Sequence, residues 1–180
     1  GARVLTTPVD HIGRINIDQL AEDIARDSAR IAVLTTMWAN NEMGTIQPIR
    51  EVVSLAQPHG ILVHSDAVQA AGYVNVNFAE SGLDAMTITA HKLGGPVGVG
   101  ALVIRREVAA TPLMHGGGQE RDIRSGTIGV ALIAAFAKAI EITTDTQAET
   151  TARIESLREE LVARIRVAVP EAIINGDPET

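Results

Sequence analysis

The chain has 180 residues, with 15 Lys+Arg against 22 Asp+Glu and a formal net charge of −7. That acidity argues against a nucleic-acid or anionic-membrane binder, and a hydrophobic content of 46% excludes a disordered chain. The cysteine count is zero, which excludes disulfides, zinc thiolates and a thiol nucleophile on this chain, and no apolar run reaches the about 20 residues of a membrane helix.

In chain order, the first predicted element is a helix. Asp18 can cap it, and Leu20, Ile24 and Ala25 repeat at helical spacing as far as Arg26. The apolar run 31–36 reads as a strand buried on both faces. A polar loop, Asn40-Asn41-Glu42-Met43-Gly44-Thr45, follows it. Pro48 opens a second helix and Gly60 closes it. Residues 61–63 form a second buried strand that ends at His64-Ser65-Asp66, with a short helix expected over 67–71. The third strand is 85–89 and ends at Ala90-His91-Lys92. After the glycine loop 94–98 comes a fourth strand, 99–104. A long Ala/Ile-rich helix spans 128–148. A last helix, 153–167, carries Ile154, Leu157, Leu161 and Ile165 on one face.

Strands separated by helices indicate an α/β domain with a mostly parallel sheet. A domain boundary is expected near Asp145, dividing 1–144 from 145–180. The chain opens on Gly1 and stops just past Asn175-Gly176-Asp177-Pro178, so it reads as a fragment. With no signal segment in view, the expected location is the cytoplasm.

The polar clusters 40–42, 64–69 and 91–92 fall just past the C-terminal ends of strands, where open α/β sheets bind ligands. Only two residues, Lys92 and Lys138, are lysines, so amine chemistry has two candidates. Lys92 sits at a strand end beside a glycine loop, whereas Lys138 lies in a helix where a lysine projects to solvent. Asp66 follows a buried strand. A carboxylate there either caps the next turn or faces a cation. Three consecutive glycines, Gly116 to Gly118, are costly without a backbone reason. Thr127 is expected at the start of the long helix, where N–H groups favour a phosphate. The histidines show no metal-ligand spacing. No phosphate-loop, dinucleotide or Gly-x-Ser-x-Gly motif is present.

Four blocks together carry a resemblance. They are Asn40-Asn41-Glu42-Met43-Gly44-Thr45, His64-Ser65-Asp66-Ala67-Val68-Gln69, Thr89-Ala90-His91-Lys92-Leu93-Gly94-Gly95-Pro96, and His115-Gly116-Gly117-Gly118-Gln119-Glu120-Arg121 running on to Arg124-Ser125-Gly126-Thr127. In this order and spacing the chain resembles the cysteine desulfurases of the NifS/IscS type, within the class V aminotransferases. The resemblance implies the large domain of a fold-type I pyridoxal 5'-phosphate enzyme, followed by the start of a small α+β domain. It implies that Lys92 binds the cofactor covalently, with Asp66 beneath the pyridine nitrogen and His91 beside Lys92 in the catalytic set. Gln69 and Asn41 would contact the ring oxygen, and Thr89 and His91 the phosphate. Thr127 would reach the phosphate of a second subunit, implying a homodimer. The family has Ser where this chain has Thr89, and a hydroxyl is kept. The resemblance further implies L-cysteine as substrate, a sulfur-acceptor or scaffold protein as partner, and a role in iron–sulfur cluster or thio-cofactor synthesis. A first phosphate-binding segment, a ring-stacking histidine, the catalytic cysteine and a substrate-binding arginine are expected outside these 180 residues. The alternatives at this point are a selenocysteine lyase, an aminotransferase of the same class, or an inert fragment.

Overall fold

The computed structural model describes residues 1–176. Four strands form one sheet in the order β1-β2-β3-β4: Val33–Met37, Leu62–Asp66, Ala85–Thr89 and Gly100–Ile104. The β1/β2 and β2/β3 pairs are parallel, and β4 runs antiparallel to β3. The parallel pairs require crossovers, and the sequence supplies them. Helix α2, Ile49–Ala56, joins β1 to β2, and a short helix α3, Phe78–Ser81, precedes β3. The β3 to β4 connection is the ten-residue loop of glycines and Pro96, too short for a crossover, so β4 returns antiparallel. The architecture is the mixed sheet with helices expected of the fold-type I class.

Several local expectations are corrected. The first helix, α1, spans Ile17–Asp27 and is capped by Asn16, whose side chain accepts from the Gln19 amide; Asp18 lies inside the first turn. An amide oxygen two residues earlier does the capping, and the Asp18 carboxylate interacts with the helix dipole instead. The expected short helix over 67–71 is a run of turns. The strands are not buried on both faces. The side chains of Leu34, Val63, Met86 and Val103 join the core with α1 and α2, whereas Val33 is 55% and Leu102 52% exposed on the opposite face.

That core holds Leu20 and Ile24 of α1, the Ile49, Val52, Val53 and Ala56 stripe of α2, and Val63, Leu83 and Met86. Leu83 is fully buried. We expect Leu83→Ala to lower the unfolding free energy by about 2–5 kcal/mol, through lost burial plus a residual cavity. Urea titration followed by circular dichroism measures this. A loss well under 1 kcal/mol would mean that the core relaxes around the gap.

Past β4 the chain forms two long helices, α4, Val130–Asp145, and α5, Gln147–Ala168. The helix expected from 153 starts six residues earlier, and Thr146 alone separates it from α4. A smaller cluster of Ala90, Leu93 and Phe136 docks α4 beside the end of β3. On α5, Ile154, Leu157 and Leu161 are exposed, at 44%, 52% and 57%. Two side chains moor its first turns: Gln147 Nε2 donates to the Val74 carbonyl at 2.7 Å, and the Thr151 hydroxyl to the Tyr73 carbonyl at 3.1 Å.

Candidate functional site

The site grows from the sheet register. Met37 pairs with Asp66, and Asp66 with Thr87, so parallel β1, β2 and β3 end on one edge of the sheet. Each chain segment that leaves that edge carries a polar cluster. Beyond β1, a bridge between Ala39 and Ile46 closes a tight loop. Asn40 Oδ1 accepts from the Glu42 and Met43 amides at 2.9 and 2.8 Å, so Asn40 builds the turn and leaves Asn41 exposed at its tip.

At the end of β2, Asp66 is half-buried. Its Oδ1 accepts from the Val68 amide at 2.9 Å, and its Oδ2 has no hydrogen-bond partner among the described residues. The carboxylate thus caps a turn with one oxygen and keeps the other available for a cation. Gln69 lies on the same turn and is half-buried. The two readings of Asp66 left open by the sequence are compatible in the folded chain.

Beyond β3 the backbone enters a single 3-10 turn, Ala90–Leu93, capped by Gly94 at φ +73. Thr89 Oγ1 lies 3.0 Å from His91 Nδ1. Lys92 is exposed, and its amine has no hydrogen-bond or ion-pair partner among the described residues. Its backbone is held firmly. The Tyr73 hydroxyl donates to the Lys92 carbonyl at 3.2 Å, and the Thr143 hydroxyl of α4 lies 3.2 Å from the Leu93 carbonyl, its one proton shared with the nearer Ala139 carbonyl at 2.7 Å. Sequence reasoning missed both supports. The only signals were the lone Tyr73 and a hydroxyl in an otherwise apolar stretch of helix. Gly100 serves the same edge: a Cβ there would stand 2.9 Å from the Ile88 carbonyl, closer than side chains approach backbone.

His64 has no signal of its own in the sequence beyond its place before Asp66. In the structure its Nδ1 lies 2.8 Å from the Thr35 hydroxyl of β1, and its Nε2 lies 2.8 Å from the Thr87 hydroxyl of β3. Burial lowers its pKa from the ordinary value of 6.5, against the smaller upward pull of the Asp66 charge. The folded chain therefore binds fewer protons at His64 than the unfolded chain, and this contribution to stability falls as pH drops through about 6.5.

Thr127 does not start a helix. It lies exposed in the loop before α4, whose cap is Gly129. Gly126 at φ +116 and Gly129 interrupt the helical path there. The glycine-rich segment before it is strained: Gly118 has φ +74, and Glu120, Arg121 and Asp122 are all left-handed, a conformation seldom adopted by residues with a Cβ. The Gln119 side chain braces the loop by accepting from the Gly126 amide at 2.9 Å.

Comparison with known proteins agrees with this arrangement. Residues 1–179 match the family model for class-V aminotransferases. The chain is 45% identical over 176 residues to an IscS-like cysteine desulfurase of Mycobacterium tuberculosis, covering 98% of this chain and 44% of that protein. It is 39% identical over 180 residues to a cysteine desulfurase of Sinorhizobium fredii, covering 100% of this chain and 46% of the other. The solved structure of a NifS-like protein superimposes with a TM-score of 0.86 at 38% identity, over 91% of this chain and 44% of that one. The chain thus spans less than half the length of the relatives it matches. A match along almost its whole length, with three of the four motifs following the ends of neighbouring strands, makes this chain a member of the class-V aminotransferase family.

Proposed function

We propose that this chain forms the lysine-bearing half of a cysteine desulfurase site that uses pyridoxal 5'-phosphate, in an enzyme that converts L-cysteine to L-alanine. The observation that carries the reading is the shared edge. An amine without a partner at Lys92, a carboxylate with one open oxygen at Asp66, and the exposed Asn41 amide all follow the ends of neighbouring strands. These groups fit the cofactor's aldehyde, its protonated ring nitrogen and its ring oxygen. Thr89 and His91 supply a hydroxyl and an imidazole suited to its phosphate.

When bound, the cofactor supplies a sink for the electron pair left at the substrate's Cα. Lys92 would bind the cofactor through its aldehyde and would move the substrate's Cα proton, as base and then as acid. Asp66 keeps the ring nitrogen protonated. Gln69 and Asn41 orient the ring through its oxygen. Thr127 meets the phosphate of a partner copy, so the working enzyme is a homodimer. Sulfur leaves to a thiolate, which this chain does not contain, and passes to an acceptor protein. In this reading the enzyme works in the cytoplasm, supplying sulfur to iron–sulfur clusters or thio-cofactors. The boundary between the cofactor-binding domain, 1–144, and the start of a smaller one, 145–180, falls near Asp145, at the end of α4.

The direct test is absorbance and product analysis of the purified chain with pyridoxal phosphate and L-cysteine. The expected result is a shifted cofactor band with no alanine above a cofactor-only blank, because the thiolate is missing. Alanine well above the blank, abolished by Lys92→Ala, would show that this half suffices. An unshifted band at saturating cofactor would count against the assignment itself.

A further inference from the structure

His64 sits two residues before Asp66 on β2, so the two side chains leave the same face of the strand. Its ring spans three strands, touching the hydroxyls of Thr35 and Thr87 at 2.8 Å each. Those strands lead directly into the Asn40–Gly44 turn, the Asp66 turn and the Lys92 turn. Backbone bonds alone pair the strands in register, but they do not tie the exposed face. No helix covers that face among the described residues, and Val33 and Leu102 stand exposed on it.

Hydroxyls can pair with the ring in either protonation state, and burial favours the neutral one, with one N–H donating and the other nitrogen accepting. The neighbouring strands present no charge to it at these contacts, and Asp66 is the charged group whose field it feels. A cationic ring at this position would draw on the same carboxylate that a pyridinium needs. An apolar side chain would remove the bridge between the two hydroxyls.

We propose that His64 is a positioning residue for Asp66: bridging Thr35 and Thr87, it locks the three strand ends into one edge without placing a second charge beside the carboxylate. The proposal rests on the cofactor reading given above and adds to it the residue that sets how strongly Asp66 holds the ring proton.

Two measurements on the full 180-residue chain test it. In the first, nitrogen-15 NMR of the unliganded chain reads the His64 ring, assigned with His64→Gln. One protonated and one unprotonated nitrogen at pH 7, titrating below the ordinary value, is the expected result. A doubly protonated ring at pH 7 overturns the proposal whatever the cofactor does. In the second, the chain is saturated with pyridoxal phosphate carrying nitrogen-15 in its ring, and the ring-nitrogen shift is followed against pH. In His64→Ala the ring nitrogen should lose its proton about one pH unit earlier than in the unaltered chain, as expected when a close charge is misplaced. His64→Gln, whose amide also offers a donor and an acceptor, should recover part of that shift. Should His64→Ala fail to fold, Thr35→Val unties one end of the bridge and carries the same readout. A ring titration unchanged in both variants, with normal labelling of Lys92, overturns this proposal alone. Absence of label at Lys92 in the unaltered chain overturns the cofactor reading and this proposal with it.

Discussion

Borohydride reduction of the chain at saturating pyridoxal phosphate, followed by peptide mapping, should place the cofactor on Lys92, and Lys92→Ala should abolish that label. The expectation rests on position and on competition. Lys92 leaves β3 at the edge where Asp66 and the Asn40 loop converge, and the Tyr73 hydroxyl holds its carbonyl. The other lysine, Lys138, lies outward on α4 with its amine 2.7 Å from Glu141 Oε1. An exposed ion pair of that kind contributes little to stability, but it shows that Lys138 faces solvent away from the strand ends. Since both lysines are exposed, slow non-specific labelling of Lys138 is the natural background. Label at Lys138 equal to that at Lys92, or label that survives Lys92→Ala in full, would remove Lys92 from the site.

The second large effect belongs to Asp66→Asn. The substitution keeps an oxygen for the Val68 amide, so the turn should survive, but it removes the negative charge. In a chimera in which this chain replaces the matching segment of the Mycobacterium tuberculosis relative, alanine formation from L-cysteine should fall about 100- to 1,000-fold. That is the scale on which loss of one preorganised electrostatic contact slows catalysis. Cofactor labelling at Lys92 should persist, which separates a chemical defect from a folding defect. Asp66→Ala loses the turn bond as well and should cost about 1 kcal/mol of stability in addition. Near-normal turnover in Asp66→Asn would leave the residue only its structural task at the turn.

The elements were legible because each obeys a local rule. Helix α2 starts after Pro48, and the 3-10 turn 57–59 that extends it ends at Gly60 at φ +68, so both signals are written in single residues. The apolar runs of β1, β2 and β3 and the polar residues after them also stood out without tertiary information. Misreadings arose where a side chain's partner decides. Asn16 and Asp18 are both competent caps, and only the path of the chain before the helix chooses Asn16. Thr127 looked like a helix start because the sequence after it is helical, but Gly126 and Gly129 carry the backbone off that path for three more residues.

The candidate site divides along the same line. Lysine scarcity and position at a strand end single out Lys92, and Asp66 stands out as a carboxylate after a buried strand, whereas Gln69, Asn41, Thr89 and His91 enter only through the family resemblance. Tertiary structure alone decided that the segments carrying them leave one sheet edge, because strand register is a pairing of residues tens of positions apart. It also decided that one Asp66 oxygen is occupied by a backbone amide while the other is not, and that His64 ties three strands through Thr35 and Thr87. Hydrogen bonds spanning 23 and 29 residues leave no periodic trace in the chain, so their partners become visible only when the strands are laid side by side.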